Sequence, residues 1–370
     1  MFGVRVKTGH RPDYFLLAVI FLLVMFGLVM LSSASSELGK IKFDDSYYYL
    51  KHQLLNGFVI GLTGFLLGYK LNYQYYRKFA LILFIASLGL LALVFTPLGV
   101  SSGGATRWIK LGPVIFQPAE ILKLTFIMYL AAWLNNPNVQ RGKNFLQGFV
   151  PFLAISAVMA VLLILQPATS MVVVLIGSGL IVYFLSGAKI KFLAILMALG
   201  LIGFGLVVYF TPYRLKRVVS FFRPQNIQEE SYHLNEALIA LGSGGVGGVG
   251  FGESRTKTNY LPAAVDDSIF AVIGEELGFI GAGGLIAVLG LLTFRLFWIA
   301  YKLRDQFGRL LLVGFGALIG IQSIINIGAM SGLLPLTGVP LPFISYGGTA
   351  LAIFMVMSGV ALNVSKYSQN

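Results

Sequence analysis

Asp266 and Asp267 stand immediately before an apolar run, Ser268 to Ile273, that continues into Gly274-Glu275-Glu276-Leu277-Gly278. The chain holds only 14 acidic residues in 370, so this concentration of carboxylates needs a reason. An unpaired charge in a membrane helix costs about 2.5–3.5 kcal/mol on insertion scales. Such residues persist when they pair, face a wet cavity or do chemistry. On one continuous helix, at about 100° and ~1.5 Å per residue, Gly274 and Gly278 share the face of Asp267, Glu275 lies about 80° around and ~12 Å deeper, and Glu276 is on the opposite face. Asp267 and the two glutamates therefore form no close dyad within that helix. Asp267 at the outer mouth suits a general base, while Glu275 and Glu276 need Lys or Arg partners, or water. The alternative is that Asp266 and Asp267 only cap the helix N-terminus, where the dipole favours acids.

Two further polar groups stand out. Gly103-Gly-Ala-Thr-Arg107-Trp108-Ile-Lys110 leads to Gln117-Pro118-Ala-Glu120-Ile-Leu-Lys123. Trp108 reads as an interfacial anchor. Glu120 and Lys123, three apart on a helix, can neutralise each other. The other is Ile325-Asn326-Ile-Gly328, then Gly332-Leu-Leu-Pro335 and Gly338-Val-Pro340-Leu-Pro342-Phe-Ile-Ser345-Tyr346-Gly347-Gly348. Its prolines and glycines break helix continuity and predict a structured, re-entrant-type turn that offers Ser345 and Tyr346 as hydrogen bonders. Gly347 and Gly348 read as small residues at a helix contact.

The elements that must position these groups are membrane helices. With 57% hydrophobic and 11% charged residues and a mean hydropathy of +0.84, a soluble multidomain enzyme is excluded. Apolar runs long enough to cross about 30 Å of hydrocarbon lie near 13–34, 52–69, 79–97, 114–134, 147–165, 169–187, 192–211, 267–294, 310–334 and 346–365. The expectation is an all-α integral membrane domain over 1–370 with about ten crossings. The first run is too long for a signal peptide and lacks a small-residue cleavage site, so it reads as a true span.

Basic residues gather at alternate ends: Arg5, Lys7 and Arg11; Lys70, Arg77 and Lys78; Arg141 and Lys143; Lys189 and Lys191; Arg295, Lys302, Arg304 and Arg309; and Lys366. The opposite short loops hold only Lys40, Lys42, Lys51, Arg107 and Lys110. The positive-inside rule then places both termini in the cytoplasm. The net charge of +13 is mostly a topology and anionic-lipid signal; it forms no concentrated face for nucleic acid. There is no cysteine, so disulfide and thiolate chemistry is excluded. His10, His52 and His233 form no zinc pattern, and no P-loop precedes a helix.

The connections are short except for 212–266, between the seventh and eighth spans. It opens with basic Arg214-Leu-Lys-Arg217 and Arg223-Pro224, and its 231–239 stretch has the spacing of a short amphipathic helix. The glycine-rich run Gly242 to Gly252 survives at membrane depth only under cover of protein or water. A long loop in a compact protein is commonly functional. No inverted repeat is visible between the halves, which weakens a transporter reading.

Four segments together carry a resemblance: Tyr260-Leu-Pro; Asp267-x-Ile-Phe-Ala-x-Ile-Gly-Glu-Glu-Leu-Gly; Gln117-Pro-x-Glu-x-x-Lys123; and Leu341-Pro-Phe-x-Ser-Tyr-Gly-Gly348. In this order, over essentially the whole chain, they resemble the SEDS family, which includes FtsW, RodA and SpoVE. The Tyr232 region, Ser254-Arg-Thr-Lys257 and Leu362-Asn363-Val-Ser365 look closer to FtsW. The resemblance implies a peptidoglycan glycosyltransferase that polymerises lipid II at the outer face of the cytoplasmic membrane. It also implies a class B penicillin-binding protein and other division or elongation proteins as partners. The family's essential loop aspartate maps onto Asp267, as catalytic base. Arg107, Arg214, Arg217, Arg223 and Lys257 become candidates for the leaving pyrophosphate, and Lys123 and Ser345 further candidate substrate contacts. Glu120, Glu275, Glu276, Asn326 and Tyr346 become site-supporting residues. A divalent cation, Mg²⁺ or Mn²⁺, is expected, with Asp266 as a metal ligand.

The chain departs from the family at three places. Gln166-Pro167-Ala168-Thr169-Ser170 lacks the acid usual after the proline. Asp266-Asp267-Ser268 stands for Thr-Asp-Phe, and Tyr232-His233 for Tyr-Gln. Septal synthesis is the expected role, with an elongation polymerase, a lipid II flippase or a non-catalytic scaffold as the rival readings.

Overall fold

The computed structural model describes residues 10–102, 104–112, 114–136, 140–222, 228–259 and 264–369. Among the described residues, seven helical segments are long and apolar enough to cross a membrane: α1 (Tyr14–Phe43), α4 (Gln74–Leu93), Phe145–Leu165 with α6 (Val150–Leu165) as its main part, α8 (Ile190–Tyr209), α12 (Ile269–Tyr301), α13 (Gln306–Met330) and α14 (Gly348–Ser365). Three shorter or divided runs complete the ten expected crossings. These are α5 (Pro118–Leu134), α7 (Thr169–Leu185), and the run α2 (Tyr48–His52), π-helical Gln53–Val59 and α3 (Ile60–Lys70). The protein is a multi-pass, all-α membrane protein.

The core lies where α5, α7, α12, α13 and α14 meet. Apolar residues surround most of α13, and 72% of its most apolar window is buried, against 17% for α8. A helix apolar all round belongs inside a bundle or in lipid, and these two take the two alternatives. Small residues close the α3–α14 seam: a Cβ at Gly61 or Gly68 would press on the α14 backbone. Near the start of α1, Asp13 caps the helix through Leu16 N–H and binds Arg295 at 2.6 Å, tying α1 to the C-terminal part of α12.

Three differences from expectation shape the site. Residues 99–116 are an antiparallel meander, β1 (Gly99–Ser102), β2 (Ala105–Leu111) and β3 (Val114–Phe116), so the fourth span starts at Pro118 rather than 114. Its strands are too short for their alternation to stand out against an apolar background. The long connection between the seventh and eighth spans is largely helical: α9 (Pro212–Phe222), α10 (Gln228–Ser243) and α11 (Thr256–Asn259). Finally, α12 begins at Ile269, so Asp267 precedes it in a turn. The helix is also interrupted at Gly278, with φ 65° and ψ −164°, a region open essentially to glycine alone. The face-sharing geometry expected of one continuous helix from Asp267 to Gly278 therefore does not hold.

Candidate active site

The break at Gly278 is filled by the glycine-rich segment. Val249 and Gly250 N–H donate to the Glu275 and Glu276 carbonyls at 2.9 and 3.1 Å, and Phe279 and Ile280 N–H donate to the Gly245 and Val246 carbonyls at 2.9 and 3.2 Å. Backbone at membrane depth must find such partners. Only glycine permits the approach, because a Cβ at Gly248 would fall on the Glu276 carbonyl oxygen and one at Gly244 on that of Gly274.

The interruption also directs the two glutamates into the protein. Glu275 accepts from Ser254 Oγ at 2.6 Å, Arg255 N–H at 3.0 Å and the Thr256 hydroxyl. Glu276 pairs with Lys257 at 2.8 Å and accepts from Ser33 Oγ of α1 at 2.6 Å. Lys257 Nζ also donates to Gly252 O at 2.7 Å. Glu275, Glu276 and Lys257 are all buried. Together they pin the 254–257 segment to α12, and α12 to α1. Lys257 is thus committed to an internal ion pair, which corrects its reading as a substrate cation.

Above this clamp, three elements hold the Asp267 turn. Asn326 Nδ2 of α13 donates to the Asp267 carbonyl at 2.8 Å and to Val339 O at 2.7 Å. Gly338, with φ +67°, brings the α13–α14 connection beside the carboxylate, and a Cβ there would stand 3.7 Å from Oδ2. His233 of α10 meets Ser268 Oγ at 2.7 Å. Ser268 occupies the N-cap position of α12 but makes no side-chain capping bond, and neither aspartate occupies that position. Capping alone therefore does not account for this pair of acids.

Asp267 Oδ1 is buried and has no hydrogen-bond partner among the described residues. Lost hydration raises the Asp267 carboxyl above the ordinary carboxylate range, against the opposing pull of His233 and Arg217. Asp266 reaches the surface, yet the packed protein around it displaces enough water to push its carboxyl, with repulsion from Asp267, up to about 7. The two acids turn to different elements. Asp267 interacts with His233 and Arg217, and Asp266 with Lys42, Tyr49 and Tyr346.

Arg107, Arg214 and Arg217 form a cationic group over the site. Crowding lowers the Arg107 guanidinium, through burial and through repulsion from Arg217 and Arg214. Arg107 donates from Nε to Gln166 O at 3.1 Å and from its guanidinium to Pro167 O, the stretch where the family carries an acid and this chain has Ala168. Arg214 donates to Thr211 Oγ1 and Ile164 O at 3.0 and 3.1 Å. Arg217 lies over the Tyr213 ring at 4.6 Å. The apolar edge of α9, at Leu215 and Val218, joins Phe204, Gly205, Val208 and Tyr209 of α8 around a recess of about 320 Å³.

The remaining candidates separate. Lys123 is fully buried, paired with Glu120 at 2.7 Å and hydrogen-bonded to Gln322 Oε1 at 2.9 Å, so its ammonium is not offered to substrate. Ser345 Oγ accepts from Leu341 N–H at 2.8 Å inside its own turn, which makes it a turn lock rather than a substrate contact. Tyr346 N–H donates to Val265 O at 2.9 Å, beside the Asp266 turn. Arg223 and the Tyr260-Leu-Pro motif lie outside the described residues. Among the described residues no group of three or more His, Asp or Glu side chains gathers where it could hold a metal ion. With Asp266 and Asp267 turned to different elements, the described residues alone do not assemble a resident metal centre. His233 is a site residue that pattern reading missed. Its one visible signal was that it stands where the family commonly has glutamine.

The full length of this architecture recurs in known proteins. Residues 13–370 match the FtsW/RodA/SpoVE family model, described as cell cycle protein. The stage V sporulation protein E of Bacillus subtilis is 37% identical, over 97% of this chain and 98% of its own. A probable peptidoglycan glycosyltransferase FtsW of Geobacter sp. is 36% identical, over 98% of both. Among solved structures, a chain of a peptidoglycan synthase complex that coordinates polymerization and crosslinking superposes with a TM-score of 0.79 at 28% identity, over 97% of this chain and 99% of that one. The Thermus thermophilus rod shape determining protein RodA superposes at 0.70, also 28% identical, over 97% and 98%. The chain belongs to the FtsW/RodA/SpoVE family.

Proposed function

We propose that this chain is a peptidoglycan glycosyltransferase that polymerises lipid II at the outer face of the cytoplasmic membrane, in septal wall synthesis. It would act beside a class B penicillin-binding protein and other division proteins. The observation that carries the reading is Asp267, a half-buried carboxylate with one buried, unpartnered oxygen, held by α10, α13 and the α13–α14 turn beside an arginine group. The names of its relatives support the same chemistry. Distribution of basic residues supports a topology with both termini in the cytoplasm.

In this reading Asp267 takes the proton of the acceptor's GlcNAc 4-hydroxyl. That oxygen attacks the anomeric carbon of the donor's MurNAc. The bond from this carbon to pyrophosphate oxygen breaks, and its electron pair leaves with undecaprenyl pyrophosphate. The α-linked donor becomes a β-linked glycan. General-base help supplies about 10²–10⁴-fold. Arg107, Arg214 and Arg217 oppose the charge that grows on the leaving pyrophosphate. Helix α9 offers the complete leaving group a seat, with its arginines for the phosphates and its apolar edge, at the α8 recess, for part of the isoprenoid chain. A divalent cation would come bound to the pyrophosphate, since Mg²⁺ usually takes substrate phosphates with few protein carboxylates.

A flippase reading needs free charges through the membrane. Glu120, Lys123, Glu275, Glu276 and Lys257 are instead engaged with partners inside the protein. The test is labelled lipid II presented to the purified chain, with and without its cognate penicillin-binding protein and Mg²⁺ or Mn²⁺. Lysozyme-sensitive polymer is the expected result. No polymer in any combination, with the partner folded and bound, would favour a scaffold or carrier.

A further inference from the structure

The side of the Asp266–Asp267 turn away from the arginines is aromatic. Tyr49, from α2, meets Tyr346 edge-on at 5.1 Å between ring centroids. Tyr48 stacks on Phe43 at 3.7 Å and lies 4.3 Å from His52. Tyr48, Tyr49 and Tyr346 are partly exposed, and Asp266 is exposed beside them. The Asp266 charge acts on both Tyr49 and Tyr346. Tyrosines at an outer membrane surface are often plain interfacial anchors. This cluster is more than a belt: it joins three distant stretches of chain, with Tyr346 tied by its N–H to Val265 O at 2.9 Å.

An aromatic wall edged by a carboxylate suits a pyranose. The sugar's C–H face covers the apolar ring, and its hydroxyls donate to the acid, so both halves of an amphipathic ligand are matched. A lipid tail would gain nothing from Asp266, and pyrophosphate would be repelled by it. The neighbouring residue Asp267 faces His233 and Arg217, whereas Asp266 turns to the tyrosines and Lys42, so one turn divides the arginine side from an aromatic side.

We propose that Tyr49, Tyr346 and Asp266 form the acceptor-sugar subsite, which seats the hexosamine end of the acceptor glycan while the arginines hold the donor's pyrophosphate. This rests on the glycosyltransferase reading of Asp267. The ring faces bind the sugar, Asp266 accepts from its hydroxyls, and the acceptor oxygen is presented across the turn to Asp267.

The test is binding of a lipid-free oligosaccharide of the peptidoglycan repeat to the purified full chain, by saturation-transfer NMR, with inorganic pyrophosphate as the donor-side probe. Tyr49→Ala and Tyr346→Ala should each weaken oligosaccharide binding by about five- to tenfold, the range expected for one lost aromatic contact. Pyrophosphate binding should not change. Tyr49→Phe and Tyr346→Phe keep the ring and should bind like wild type, which separates stacking from misfolding. Asp266→Asn should weaken the oligosaccharide alone. Unchanged oligosaccharide affinity in both alanine variants, with or without a lowered melting temperature, would overturn the subsite and leave the tyrosines as membrane anchors. Because the readout is binding, it separates from the base assignment: an active Asp267→Asn enzyme would sink the base while leaving these affinities as they are.

Discussion

In the proposed mechanism, Asp267 owes its suitability as a base to the groups that hold it. Burial makes its carboxylate more basic than in water, and His233 and Arg217 keep that shift in check. The working form is the ionised one, so the direction of a His233 effect follows. Removing a cation that stabilises the carboxylate raises the pH at which it ionises. In His233→Gln the acid limb of kcat/KM for polymerisation should move to higher pH. In His233→Arg, a permanent cation, it should move lower. A pH–rate profile between about pH 5 and 8, where imidazole ordinarily titrates, checks this; identical limbs in all three proteins would remove His233 from the account. Conspicuous charges in an apolar chain drew attention to Asp267, but spacing left it open between base and helix cap, and it was the family resemblance that assigned its role and made Arg107, Arg214 and Arg217 candidates. It overvalued Lys257 and Ser345, whose partners lie 19 and 4 positions away, and Lys123, whose ion pair with Glu120 the three-residue spacing already offered. Spacing along one helix revealed the Glu120–Lys123 pair, but the partner of Lys257 depends on what folds against it, which spacing does not reveal.

At the scale of elements, the interrupted helix α12 is the central device. Its glycine-rich insert replaces the hydrogen bonds lost at Gly278 and sets the direction of Glu275 and Glu276. Gly248→Ala should destabilise the protein by about 2–3 kcal/mol, since its Cβ meets backbone that cannot yield. Gly242→Ala, with open space around its Cβ, should be near neutral; thermal unfolding in detergent compares them, and equal effects would contradict the docking of the insert. For the buried Lys257–Glu276 pair, breaking one partner costs about 3–5 kcal/mol, whereas replacing both by apolar residues is much less damaging. Lys257→Met should therefore be more destabilising than Lys257→Met with Glu276→Leu. Additive losses in the double-mutant cycle would mean that the two charges do not depend on each other. The need for cover over Gly242–Gly252 was legible from glycine content alone. The break at Gly278 was not, because Gly-Glu-Glu-Leu-Gly reads equally well as uninterrupted helix, and the β-meander over 99–116 was lost in apolar background.

For the whole molecule, the ten crossings were legible because hydrocarbon thickness dictates run length, although α1 continues to Phe43 and α12 to Tyr301, beyond the hydrophobic stretches themselves. The resulting topology places the β-meander, α9–α11 and Asp267 on one side. The chain has no cysteine, so single introduced thiols report sidedness directly. Lys110→Cys should react with a membrane-impermeant maleimide added to intact spheroplasts, and Arg304→Cys should not; the reverse pattern would put Asp267 on the cytoplasmic side and remove it from extracytoplasmic chemistry. The most direct test of the central claim is lipid II polymerisation by Asp267→Asn beside wild type, in the presence of the cognate penicillin-binding protein, with the thermal transition of each preparation recorded. The account predicts at least about a hundredfold loss of polymer at an unchanged melting temperature. Near-normal polymer from folded Asp267→Asn would contradict it.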